Sequence, residues 1–74
     1  MVFVYDKLRG KIIEKYHSIS NFAKEMKVSQ SGIYTTIKMG KPFPANKIYE
    51  FAEKLDIGLE EIGIYFFSTK VSND

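Results

Sequence analysis

The chain has 74 residues, enough for one small domain, and its hydrophobic content of 45% argues against disorder over the whole length. It contains no cysteine, which excludes disulfides and thiolate zinc sites, and no apolar run is long enough to span a membrane. Residues 1–17 lack the apolar core of a secretion signal, so we expect a cytoplasmic protein.

The net charge of +2 is unevenly distributed along the chain. Residues 1–41 contain eight basic and three acidic residues, a net charge of +5, whereas residues 42–74 contain three basic and six acidic residues, a net charge of −3. A polyanion would therefore approach the N-terminal half first. Charge alone is equally consistent with lysines that only keep the protein soluble, so the choice between this role and nucleic-acid binding depends on the sequence motifs.

The chain opens with a β-favouring run at residues 2–5, which predicts a brief strand or an arm packed on the core. A first helix is predicted to begin at Asp6 as its N-cap. Gly10 within this helix is expected to let another helix approach closely. Four apolar residues form the predicted buried stripe of this helix: Leu8, Ile12, Ile13 and Tyr16.

Residues 18–38 have the spacing of a helix-turn-helix unit, whose second helix enters the DNA major groove. Lys27 occupies the turn, where most such units have glycine, and it would be strained by roughly 1 kcal/mol at positive φ. Each of the two helices has a serine that can cap it and two apolar residues four positions apart. These are Ser18 with Phe22 and Met26 for a helix over 19–26, and Ser29 with Ile33 and Ile37 for a helix over 30–38.

Two further helices are predicted over residues 45–55 and 59–65. Gly40 and the prolines that follow it end the preceding helix, and Pro44 can serve as an early residue of the next one. The first is expected to bury the stripe Ile48, Phe51, Ala52 and Leu55, and the second carries Leu59, Ile62 and Ile64. Five helices with short connections predict a compact all-α domain over residues 1–68, with a flexible tail at 69–74.

In the helix over 30–38, Ser31, Thr35 and Lys38 point roughly opposite to the apolar pair, with Tyr34 on the flank and Gln30 and Ser31 in the first turn. Gln30 can form a bidentate pair with an adenine edge, and Thr35 can contact a thymine methyl group. Ser29 and the backbone N–H groups beside it can hold a phosphate, and nearby lysines can do so by charge. The full predicted set is Ser29, Gln30, Ser31, Tyr34, Thr35, Lys38 and Lys41. The alternative is that these are ordinary polar residues on a solvated face.

The residues offer no catalytic or metal site, so we expect neither enzyme activity nor a cofactor. His17 is the only histidine and cannot complete a usual zinc set in a chain without cysteine. Glu60 and Glu61 are neighbours that point to different sides of a helix, so they do not form a catalytic pair.

A more specific pattern runs through residues 5–12, 22–26, 28–29, 41–43, 61–63 and 65–67. On these segments the chain resembles a family of small temperate-phage regulators from Gram-positive bacteria, relatives of the Cro and CI repressors that include a short modulator of repression. The resemblance implies a lambda-repressor-like domain, double-stranded DNA as partner, the cytoplasm of a bacterial host and a Cro-like part in the choice between lysis and lysogeny. The chain differs from the family pattern at Lys27, Pro44 and Gly58, where glycine, a hydroxyl cap and a serine cap are expected.

A second interpretation keeps the fold but makes the protein a modulator or antirepressor that contacts a phage repressor through the same helix. Gly32, Tyr34 and Met39 would suit such an interface, because tyrosine and methionine are enriched at protein interfaces. The C-terminal apolar run also predicts a weak homodimer, since one short helix cannot easily bury all of it. That run comprises Ile62, Ile64, Tyr65, Phe66 and Phe67, and the simpler interpretation is that all five belong to the core.

Overall fold

Five α-helices form the architecture of the computed structural model, which describes residues 2–69. They are α1 (Asp6–Tyr16), α2 (Ile19–Met26), α3 (Gln30–Met39), α4 (Ala45–Lys54) and α5 (Ile62–Phe66), with a short 3-10 turn at Leu59–Glu61. The all-α prediction is confirmed. The predicted helix over 59–65 is divided, because the N–H of Glu61 bonds to the carbonyl of Gly58 at 2.8 Å and tightens the first turn.

Serine caps fix the starts of two helices, as the sequence predicts. The Ser18 hydroxyl accepts a hydrogen bond from the N–H of Asn21 at 3.0 Å, and the Ser29 hydroxyl accepts one from the N–H of Gly32 at 3.4 Å. The predicted Asp6 cap is wrong: Tyr5 occupies the N-cap position of α1, and no side chain caps this helix. The carbonyl of Tyr5 already accepts the N–H of Arg9 at 2.8 Å, so helical bonding begins one residue earlier.

Left-handed backbone conformations end α2 and α3 and turn the chain after α4. Lys27 has φ 57°, so it adopts the strained conformation that glycine usually supplies, at a cost of about 1 kcal/mol. Gly40, with φ 68°, ends α3 as predicted. Asp56 also has φ 57°, and its carboxylate forms an ion pair with the ammonium group of Lys15. This ion pair lowers the pKa of Asp56 and raises the pKa of Lys15, and it links α1 to the turn after α4.

Aromatic rings connect the helices through the centre of the core. The ring of Phe51 on α4 lies 5.0 Å from that of Phe22 on α2 and 5.5 Å from that of Phe43 in the preceding loop. The ring of Phe43 in turn packs edge to face on that of Tyr5, with ring centroids 5.2 Å apart. The buried apolar residues are Tyr5, Leu8, Ile12, Ile19, Phe22, Ala23, Ile33, Phe43, Ile48, Phe51, Ala52, Leu55, Ile57 and Phe66. The stripe predicted for α4 is confirmed in full.

Ile13, which belongs to the stripe predicted for α1, is exposed, and so are two apolar residues of the predicted helix over 59–65. Ile13 is 41% exposed, Ile64 is 46% exposed and Leu59 is 73% exposed. The expected close approach at Gly10 is also wrong, since a Cβ built there would meet no atom within 4 Å. Within residues 2–69, no other helix covers these parts of the surface, and periodicity alone could not predict that.

The N-terminal arm packs on the core, which confirms the arm interpretation of residues 2–5. The N–H of Phe3 bonds to the carbonyl of Gly40 at 2.9 Å, and the N–H of Val4 bonds to the carbonyl of Ser68 at 2.8 Å. Phe3 also forms an isolated antiparallel bridge with Thr69, the first residue of the predicted tail. Residues 70–74 of that tail lie outside the described residues.

The C-terminal apolar run divides between the core and the surface. Phe66 is buried, and Ile62 and Tyr65 pack against the core from half-buried positions. Phe67 is 48% exposed and contacts the ring of Phe3, and Ile64 is also exposed. The interpretation that all five residues are core is therefore wrong for Ile64 and Phe67. None of the helices in residues 2–69 has the length and apolar character needed to cross a lipid bilayer.

Candidate nucleic-acid interface

The helix α3 is attached to the domain by one side only. Ile33 is 4% exposed, and Ile37 packs against the core from a half-buried position. The turn before α3 is fixed by the N–H of Val28, which bonds to the carbonyl of Ala23 at 3.0 Å. Val28 itself packs against the core, as its place in the turn predicts. The opposite side of α3 is therefore held outward on a defined support.

All seven candidate residues are exposed. Ser31, Thr35 and Lys38 follow one another at spacings of three or four residues, which aligns them on the side of α3 that faces solvent. Tyr34 lies on the flank of this row and is 49% exposed. Gln30 is in the first turn of α3. We call the exposed side of α3, together with Ser29 and Lys41 at its two ends, the α3 face.

The N-terminal end of α3 presents both hydroxyl and backbone groups. The Ser29 hydroxyl is engaged in the cap and also lies 2.9 Å from the hydroxyl of Ser31. The N–H groups of Gln30 and Ser31 belong to the first turn, where a helix supplies no acceptor of its own. This end can therefore donate hydrogen bonds to an anion, and the helix dipole favours negative charge there.

Packing adds an arginine to one border of the α3 face that sequence reasoning did not assign to it. Arg9 of α1 shares a cleft of about 280 Å³ with Tyr34, Ile37 and Lys38 of α3. Asp6 lines the same cleft and offsets part of this positive charge. The sequence indicates only that Arg9 lies off the apolar stripe of α1. Its position beside α3 follows from how α1 and α3 both pack against α2.

A second cation borders the α3 face on the other side. Lys47 of α4 lines a largely apolar groove with Gly32 and Thr36 of α3, and with Phe43. The ammonium group of Lys47 lies 3.7 Å from the carboxylate of Glu50. Lys47 was not among the predicted residues, because the sequence does not show which helix flank lies beside α3. The α3 face thus has uncharged hydrogen-bonding groups along its centre and cations at its borders and its C-terminal end.

Comparison with known proteins identifies a family whose description assigns no function. A family model described as "Protein of unknown function (DUF739)" matches residues 1–69. No curated protein matches the chain.

Proposed function

The chain belongs to the DUF739 family, and we propose that it is a transcriptional regulator that binds operator DNA in the major groove through α3. The observation that carries this proposal is the α3 face. Ile33 and Ile37 fix one side of the helix to the core, while the other side presents Ser31, Thr35 and Lys38 to solvent, and Gln30 is exposed in the first turn. Helix-turn-helix proteins offer their second helix to DNA in this way.

The residues of the α3 face and its borders divide into two roles. Gln30 and Thr35 carry uncharged groups that suit base edges, an adenine for the amide and a thymine methyl for the threonine. Lys38, Lys41 and Arg9 carry charges that suit phosphates on either side of the groove, where they fix register without reading sequence. The N–H groups at the start of α3 suit a further phosphate.

Selection of bound sequences from random duplexes tests the proposal directly. We expect one enriched motif, and affinity for it that falls steeply as salt concentration rises, because each phosphate contact releases counterions. Lys41→Ala should reduce the salt slope by about one unit, whereas Lys54→Ala should leave it unchanged. Lys54 is the matched control, since it lies on α4 and pairs with Glu25 at 3.3 Å. Absence of an enriched motif at low salt would refute the proposal.

A second function is favoured by one observation on the same helix. Tyr34 and Met39 of α3 are 49% and 54% exposed, and side chains of this kind are enriched at protein interfaces. The protein would then act as a modulator or antirepressor that holds a phage repressor through α3. Co-purification with a repressor, together with no shift of any operator fragment at low salt, would favour this function over DNA binding.

The regulatory role we propose is a Cro-like part in the switch between lysis and lysogeny, exercised by a weak homodimer or a dimer formed on DNA. Exposure of Ile64 and Phe67 at the C-terminal end supports a two-fold contact there. Sedimentation equilibrium over a wide concentration range, with and without a palindromic duplex, tests this assembly. A strict monomer under both conditions would eliminate the dimer.

A further inference from the structure

The flank of α4 that faces away from α3 carries an apolar groove of about 350 Å³, which we call the α4 groove. Its floor consists of Ala52 and Ile57, both buried. Its walls are Tyr49, which is 60% exposed, and Leu59 from the 3-10 turn, which is 73% exposed. Lys47, on the other flank of α4, lines the groove beside α3 instead. The α4 groove shares no lining residue with the α3 face.

The exposure of Leu59 is the clearest sign that this groove is incomplete in the isolated chain. Leu59 is the most exposed of the large hydrophobic residues in the described chain. Tyr49, on the opposite wall, presents an aromatic ring of the kind that is enriched at interfaces. An apolar side chain inserted between these two walls would be removed from water on both sides.

The charged residues that line the α4 groove have a single sign. Glu50 and Glu53 are the only charged residues that line it, and Glu60 and Glu61 follow Leu59 directly. Glu50 is partly compensated by Lys47 at 3.7 Å. The ion pairs found within residues 2–69 involve none of the other three glutamates. The rim is therefore negative, on a chain whose overall charge is positive.

We propose that the α4 groove binds a basic segment of another protein. An apolar side chain of that segment lies between Tyr49 and Leu59, and its lysine or arginine side chains lie against Glu50 and Glu53. Charge complementarity selects this occupant, because opposite charges across an interface favour encounter and like charges disfavour it. The proposal goes beyond DNA binding and does not depend on it.

A second copy of this chain is a poorer occupant for the α4 groove. A two-fold contact matches a patch with itself, so it would bring the glutamates of one rim against the same glutamates of the other. A head-to-tail contact through the basic N-terminal half would avoid this repulsion but would generate a ring or an open chain of subunits. Neither arrangement has the complementarity that a basic partner supplies.

The test uses two synthetic amphipathic peptides and the isotope-labelled full-length protein. One peptide has leucines on one helical face and lysines on the other, and the matched peptide has glutamates in place of the lysines. We expect the lysine peptide to shift the NMR resonances of Tyr49, Ala52, Ile57 and Leu59, and the glutamate peptide to shift none of them. Equal binding of both peptides, or shifts that map to another surface, would overturn the proposal.

Variants separate a specific groove from general charge attraction. Glu50→Lys together with Glu53→Lys should weaken binding of the lysine peptide by about tenfold or more, and Leu59→Ser should also weaken it. Glu14→Lys is the matched control, an exposed glutamate of α1 outside the α4 groove, and should have little effect. Unchanged affinity in the double variant would refute the role of the rim. Groove resonances that shift with the concentration of the protein alone would instead assign the groove to a second copy.

Discussion

The side-chain hydroxyl of Tyr5 donates a hydrogen bond to the backbone carbonyl of Lys41. Tyr5 lies in the arm before α1, and Lys41 lies in the loop after α3, so this bond joins segments that are 36 residues apart. The buried ring of Tyr5 also packs edge to face on Phe43 in the same loop. The arm therefore fixes the loop that carries one of the proposed phosphate contacts.

Tyr5→Phe tests this link. The substitution keeps the ring in the core and removes only the hydroxyl, so we expect the free energy of unfolding to fall by about 1 kcal/mol. Chemical denaturation measures the change. Tyr49→Phe is the matched control, because Tyr49 is 60% exposed, and it should be nearly neutral. A loss as large in the control as in Tyr5→Phe would contradict the assignment.

The same tyrosine predicts a pH dependence in the alkaline range. Burial raises the pKa of Tyr5 above its usual value of 10.0, so the folded state keeps a proton that the unfolded state releases. The unfolded state then binds fewer protons, and stability falls as pH rises above about 10. Comparison of unfolding free energies on both sides of that pH should show a smaller fall in Tyr5→Phe than in the natural chain. Parallel curves for the two proteins would contradict the prediction.

Alanine substitutions at Gly40 and Gly10 should change the stability of the protein in opposite directions. Gly40 has φ 68°, and a Cβ there would lie 2.2 Å from the side chain of Val2 and 2.7 Å from the carbonyl oxygen of Phe3. Gly40→Ala should therefore lower stability by more than about 1–2 kcal/mol, the cost of left-handed backbone alone. Gly10 lies within α1, and apart from the backbone of that helix a Cβ there would meet nothing within 4 Å, so Gly10→Ala should raise stability by about 1 kcal/mol. Thermal unfolding of both variants measures the contrast, and a shift of the same sign in both would contradict it.

Lys27→Gly should stabilise the protein although it removes a side chain. Lys27 has φ 57°, a conformation that glycine adopts without the strain of about 1 kcal/mol that lysine bears. The free energy of unfolding should rise by up to that amount. Lys24→Gly is the control, since Lys24 lies within α2, and it should instead lower stability by roughly 0.5–1 kcal/mol. A destabilised Lys27→Gly would show that its side chain makes a compensating contact.

Alanine variants of Gln30 and Lys38 should distinguish base-specific contacts from charge contacts with phosphates. Gln30→Ala should cost about 1–3 kcal/mol of binding on the preferred site and little on random DNA. Lys38→Ala should weaken binding to both and reduce the salt slope by about one unit. Fluorescence anisotropy with both kinds of duplex over a range of salt concentrations measures these effects. If Gln30→Ala leaves operator preference intact but abolishes repressor binding, α3 is a protein-binding surface instead.

Measuring the stability of variants in α3 shows whether a loss of DNA binding comes from unfolding. The side chains of Gln30 and Lys38 are exposed, so neither alanine variant should unfold the protein. Ile33, on the same helix, is 4% exposed, and Ile33→Ala should lower the free energy of unfolding by about 2–5 kcal/mol. A large loss of stability in Gln30→Ala would mean that its effect on DNA binding cannot be attributed to a lost base contact.

The sequence by itself determined the features that depend on neighbouring residues. Ser18 and Ser29 cap α2 and α3 because a serine hydroxyl reaches an N–H three residues along the same chain. The stripe of α4 is buried as predicted, since residues three and four apart share one side of any helix. The α3 face follows from the same rule, because burial of Ile33 requires that Ser31 and Thr35 point the other way.

The tertiary structure alone decided which helix sides are covered and which residues from distant segments meet. Leu55 and Leu59 are leucines of neighbouring predicted helices, yet Leu55 is fully buried, whereas Leu59, on the 3-10 turn, is 73% exposed. Arg9 and Lys47 reach opposite borders of α3 only through the packing of α1 and α4. Local sequence fixes which side chains share a surface, but the helix that comes to lie against that surface depends on the packing of the whole chain.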